Sequence, residues 1–136
     1  ITLGSWYKEF TVDSRKPWQN TGTSITAGKP VTISYQRGDW NSNPENDNIL
    51  YDANGDLDVI ATQPGYTMLN EPEGALIGRI GVDGSPFLVG DGPTAAPPDQ
   101  NGHLYLCIND DLEGRYGAGL TDNIGSITVQ IDSPVS

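Results

Sequence analysis

The residues with the most chemistry in them run from 108 to 126: Ile108-Asn109-Asp110-Asp111-Leu112-Glu113-Gly114-Arg115-Tyr116-Gly117-Ala118-Gly119-Leu120-Thr121-Asp122-Asn123-Ile124-Gly125-Ser126. Carboxylates and amides dominate, glycines separate them, and Arg115 is the only basic residue. Hard oxygen donors of this kind suit calcium, which takes about six to eight oxygens at roughly 2.3–2.6 Å. Asp110 stands at one end of the stretch and Asp122-Asn123 at the other, so the two ends can close on one ion. A solvated hairpin loop is the competing reading, because Asp, Asn and Gly are the commonest turn residues.

A second acidic run, Asp52-Ala53-Asn54-Gly55-Asp56-Leu57-Asp58, also spaces its oxygens at alternate positions. It is not an EF-hand: Gly55 comes too early and Gln63 stands where the closing Glu is needed. Asn54-Gly55 is a tight-turn signal, and turn chemistry is the favoured reading, with a second ion left open. Catalysis has little to work with. One histidine, His103, and one cysteine, Cys107, make no Ser/His/Asp or Cys/His set. Paired carboxylates can hydrolyse glycosides, but here they cluster in loops with no obvious buried partner. We therefore expect no enzyme and no catalytic residue.

The elements that must position the 108–126 stretch are strands. Runs of alternating or short apolar residues fall at 5–12, 24–26, 31–35, 59–61, 73–81, 87–89, 103–108 and 126–131. Glycine- and proline-rich turns separate them, as at Ala27-Gly28-Lys29-Pro30 and Gln63-Pro64-Gly65. Segment 41–58 reads as a long polar loop, and 90–102 as a Pro-rich one. No amphipathic helix of useful length is present. Seven to nine short strands with regular turns imply an all-β fold, a β-sandwich such as a jelly-roll. Trp6, Trp18 and Trp40 can stack on sugars, though core filling is expected for at least two of them.

Composition narrows the partners. The chain has 136 residues, one domain's worth, and a formal net charge of −11. Nucleic acid and anionic membrane surfaces need a basic footprint and are poor partners. An acidic surface suits divalent cations and neutral ligands. Cys107 lies in the apolar run LYLCI and reads as a small buried hydrophobe. The abrupt start at Ile1 and the polar end Asp132-Ser133-Pro134-Val135-Ser136 lead us to expect one domain, 1–136, cut from a longer secreted or surface protein.

Several motifs in order carry a family resemblance. They are Trp6-x-Lys8-Glu9; Pro17-Trp18-x-x-Thr21-Gly22; Ala27-Gly28-x-x-Val31-x-Ile33; Trp40; and Glu73-Gly74-Ala75-Leu76-Ile77-Gly78-Arg79-Ile80-Gly81. Last come Gly102-x-Leu104-Tyr105-Leu106-x-Ile108-Asn109-Asp110 and Asp122-Asn123-x-Gly125-Ser126. Together they resemble the LecA/PA-IL-like soluble bacterial lectins, small calcium-dependent galactose-binding β-sandwiches. The resemblance implies Ca2+ held by Asp110, Asp122 and Asn123, with backbone carbonyls at Asn43 and Arg115. It implies that Asp110 also meets the sugar, beside Asn123 and Asp122; Gln63, Glu113 and Arg115 are this sequence's own candidates to border the ring. The family's sugar-contacting histidine is missing: Ala61-Thr62-Gln63-Pro64 aligns with its His-Pro-x-Gln segment. His103 lies elsewhere and is expected to start a strand. The loop between Asp110 and Asp122 is also longer than the family's.

The expected function is calcium-dependent recognition of vicinal hydroxyls on a galactose-type glycan, in a secreted or cell-surface setting. The alternative is a calcium-stiffened spacer module of a larger adhesin or enzyme. Homo-oligomerisation and tethering in a longer chain both stay open.

Overall fold

The computed structural model describes residues 5–42, 44, 49–115 and 119–134, with side chains of residues 5, 6 and 134 left aside. The chain is all-β. Ten strands form two four-stranded antiparallel sheets and a two-stranded ribbon. The first sheet has the order β1 (Ser5–Asp13), β10 (Ile124–Pro134), β3 (Thr32–Asn41), β8 (Thr94–Ala95). The second has the order β2 (Gln19–Ile25), β9 (Gly102–Ile108), β6 (Leu76–Ile80), β7 (Phe87–Leu88). β4 (Asp56–Ile60) and β5 (Pro72–Glu73) make the ribbon.

Period-two alternation builds the core. Ile127, Val129 and Ile131 of β10 and Leu104, Leu106 and Ile108 of β9 are fully buried in one cluster with Val12, Ile33 and Leu76. A bulge keeps β3 in register with both ends of β10. Val129 pairs Tyr35, while Thr128 pairs Arg37, so Gln36 is the extra residue. The bulge reverses parity and turns Trp40 inward, where its indole donates to the Gly74 carbonyl at 2.6 Å. Trp40 thus fills the core, Trp18 packs against it, and the Trp6 side chain lies outside the described residues.

Several expectations need correction. The strands flanking the 108–126 stretch belong to different sheets, so the loop between them is no hairpin; it crosses from one layer of the sandwich to the other. β2 begins at Gln19 rather than Ser24. Its inward residues Thr21 and Thr23 are polar and hid the alternation, yet the Thr21 hydroxyl donates to the Leu104 carbonyl at 2.9 Å. The run at 73–81 breaks at Gly74, where the chain leaves the ribbon and enters the second sheet. The Pro-rich loop at 90–102 contains β8, two residues long.

The acidic run at 52–58 is turn chemistry. Asp52 Oδ1 accepts from the Asn54 amide at 2.9 Å, and Asp56 Oδ1 from the Asp58 amide at 3.0 Å. Gly55 has φ +71°, and a Cβ there would stand 2.4 Å from the Ala75 nitrogen. Among the described residues, no three His, Cys, Asp or Glu side chains converge as metal ligands.

Candidate functional site

The site forms where β9 ends and β10 begins. Asn109 is the anchor. It is fully buried one residue after β9, and its side chain ties down the 67–72 segment. Its Oδ1 accepts from the Met68 amide at 2.8 Å, and its Nδ2 donates to the Met68 and Pro72 carbonyls, both at 3.0 Å. Its backbone exchanges bonds with Gly74 and Ala75, each 2.8 Å. A buried amide with its hydrogen bonds made is rigid, because every competing conformation leaves polar groups unpaired. Asn109 therefore fixes the backbone from which Asp110 projects.

Asp110 and Asn123 meet across the two sheets. Asn123 Nδ2 donates to Asp110 Oδ2 at 2.8 Å and to the Ser14 carbonyl at 2.8 Å. Asp110 Oδ1 accepts from the Asp111 amide at 2.7 Å. Asp110 is 4% exposed and Asn123 1%. Burial pushes the Asp110 carboxyl up to about 6; the bonds from Asn123 and the Asp111 amide pull it down, and the charges of Glu73 and Asp122 raise it again. Asn123 is held from the far side by the β1–β2 turn, where the Ser14 hydroxyl donates to the Gly125 carbonyl at 2.7 Å.

Two oxygens here have no donor among the described residues. Asn123 Oδ1 and Asp122 Oδ1 are buried, and neither finds a hydrogen-bond partner among the described residues. Buried acceptors without donors are uncommon and costly. A carboxylate oxygen and an amide oxygen left open beside a second, desolvated carboxylate are the donor chemistry that a hard cation satisfies. The residues present therefore fit a calcium ion on the criterion of donor type.

A rim lies beside this centre. The turn at 63–66 docks through a bridge between Tyr66 and Asp111, and the Thr67 amide reaches the Asp110 carbonyl at 3.4 Å. Arg115 lies over this turn: a Cβ on Gly65 would stand 2.7 Å from Arg115 Cδ. Glu113 is exposed and its carboxylate is 4.0 Å from Arg115 Nε. Gln63, Glu113 and Arg115 are thus brought to one side of Asp110 and Asn123. Asn43 lies outside the described residues. Sequence reasoning missed Asn109 as an anchor, the Ser14 carbonyl, and the Tyr66–Glu73 pair. Tyr66 donates to Glu73 Oε1 at 3.3 Å, and burial raises both groups. An amide directly after a buried strand was the available signal for Asn109; nothing local marked the others.

No protein-family model matches the chain, and no curated protein matches it. Its backbone is similar to that of a solved structure described as "EclA N-terminal domain; PllA-like lectin", with a TM-score of 0.67 at 22% sequence identity. The likeness covers 97% of this chain and 99% of that one. At this identity the similarity defines the fold: a β-sandwich of a kind found in a lectin domain.

Proposed function

We propose that the chain is a carbohydrate-binding module that holds Ca2+ through Asp110, Asp122 and Asn123 and recognises vicinal hydroxyls of a galactose-type sugar. The observation that carries this is the pair of donorless buried oxygens on Asp122 and Asn123, beside the desolvated Asp110. The likeness to a lectin domain supports the carbohydrate part. When bound, calcium would accept sugar hydroxyls in place of water and polarise them, so that carboxylate and amide oxygens take stronger hydrogen bonds. Gln63 and Arg115 on the rim, with Glu113, take the place of the absent histidine in bordering the ring. Backbone carbonyls, at Asn43 and Arg115, are proposed to fill out the coordination. Binding rather than catalysis is the reading.

A second reading has its own observation. Asp110 and Asn123 are almost wholly buried, as ligands of a purely structural ion are. A glycan array run with calcium and with a chelator separates the two. Binding to particular glycans in calcium, lost in chelator, is the expected result. No glycan binding in either condition, with a melting temperature that still drops on chelation, would leave only the structural ion. A chain indifferent to chelation in both assays would sink both.

A further inference from the structure

The outward side of the second sheet differs in chemistry from the rest of this acidic chain. Asn20 pairs Tyr105, and Tyr105 pairs Arg79, so the three stand in one row across β2, β9 and β6. β9 turns Leu104, Leu106 and Ile108 into the core and His103 and Tyr105 the other way, while Cys107 on that side is fully covered. By the same parity β2 turns out Asn20, Gly22 and Ser24, β6 turns out Arg79, and β7 turns out Leu88, while Ile77 of β6 is fully buried. None of these is Asp or Glu, although the chain has 18 acidic residues.

Arg79 is the cation of this row. Its guanidinium carbon lies 4.5 Å from the Trp18 ring centroid and 5.4 Å from that of Tyr105. Its Nε is buried with no acceptor, and among the described residues it has no carboxylate partner. Arg37 and Arg115, by contrast, each face a glutamate. On a chain of net charge −11, a guanidinium fixed by two rings and kept apart from carboxylates is a preorganised anion receptor. A second cation stands at the edge of the sheet, on β2. Lys8 Nζ donates to the Thr21 carbonyl and lies 3.1 Å from where a Gly22 Cβ would be. Asn20 and His103, joined at 3.0 Å between Nδ2 and Nδ1, add hydrogen-bonding groups next to Tyr105.

We propose that this face is a second binding site, separate from the Asp110–Asn123 centre, which takes the carboxylate of an acidic saccharide on Arg79. The planar guanidinium fork matches a carboxylate, and its terminal amino groups are the donors left to a ligand. Asn20, His103 and Tyr105 would meet hydroxyls of the same sugar. The choice of a saccharide rests on the carbohydrate-binding reading above; the anion preference does not.

The test is an NMR titration of the isotope-labelled chain in chelator, which silences the Asp110–Asn123 centre. The probes are an oligogalacturonate, a neutral galactan oligomer of equal length, and a glutamate-rich peptide. The oligogalacturonate is expected to shift the Arg79 Nε–H and Trp18 indole resonances, and to bind Arg79→Gln at least tenfold more weakly. Arg79→Lys, which keeps the charge and loses the fork, should fall between. Unmoved Arg79 and Trp18 resonances in the wild type would overturn the proposal, whether or not the variants fold. So would equal oligogalacturonate affinity in Arg79→Gln, or an acidic peptide that moves the same resonances as tightly. A negative glycan array with a positive titration supports this site while removing the calcium-lectin reading.

Discussion

Burial raises the Asp110 carboxyl to about 6, and that shift has a definite sign in stability. The folded value lies above the ordinary aspartate value of 3.8, so the native state prefers the protonated form. In chelator this contribution is fully present below pH 3.8 and is lost as pH rises through 6, a swing of roughly 3 kcal/mol at about 1.36 kcal/mol per unit. Asp110→Asn removes that slope. In chelator at pH 7.5 the variant should unfold at equal or higher urea than the wild type, while in calcium the order should reverse because the ion has lost a carboxylate. A variant less stable than wild type in chelator would contradict the desolvated-carboxylate picture. Loading should also release a proton below pH 6 and almost none well above it, seen by calorimetry in buffers of different ionisation heat. Affinity should therefore weaken toward acid.

At the scale of elements, the site depends on parts that never touch a ligand. Asn109→Ala would strand the Met68 amide and the Met68 and Pro72 carbonyls inside the fold. Each unmet buried group costs about 1–3 kcal/mol, so a loss of about 3 kcal/mol or more is expected in urea unfolding. Glycan and ion affinity should fall with it, since Asp110 is the next residue. A loss below about 1 kcal/mol would show that the 67–72 segment is held by something else. Gly125 is a second such part. It has φ +90° opposite Trp40, and a Cβ would stand 2.2 Å from the Asp39 carbonyl oxygen. Gly125→Ala should cost about 2 kcal/mol or more and release Asn123, because Ser14 hangs on the Gly125 carbonyl.

For the molecule as a whole, the crossover loop ties one sheet to the other, so ligand binding there is coupled to global unfolding. Calcium at about 100 times its dissociation constant should add roughly 2.7 kcal/mol and raise the melting temperature by on the order of 10 °C. Differential scanning fluorimetry with and without chelator reads this directly; coincident curves would deny the ion. Cys107 reports the same event from inside. It is fully buried, and burial pushes its thiol up to about 12. Its alkylation at pH 8 should therefore proceed at the rate of unfolding and slow in calcium. Fast labelling of the native chain would mean that the second sheet opens locally.

The all-β class and the oxygen-rich stretch at 108–126 were legible in the residues. Alternation at 31–35, 103–108 and 126–131 and the turn glycines report local backbone preference, which a sequence states directly. The meeting of Asp110 with Asn123 was suggested by residue type at the two ends of one oxygen-rich stretch. Strand β2 was only partly legible, since Thr21 and Thr23 go inward: the Thr21 hydroxyl donates to a buried carbonyl, and that of Thr23 is buried with no partner among the described residues. Sheet membership was not legible at all. That β9 and β10 lie in opposite layers, that a bulge at Gln36 turns Trp40 inward, and that Asn109 bonds to residues some forty positions earlier are outcomes of packing between distant segments. The burial that lifts Asp110 and leaves Asp122 Oδ1 and Asn123 Oδ1 without donors among the described residues exists only once those segments close together, because desolvation is a property of the assembled neighbourhood and not of any residue in it.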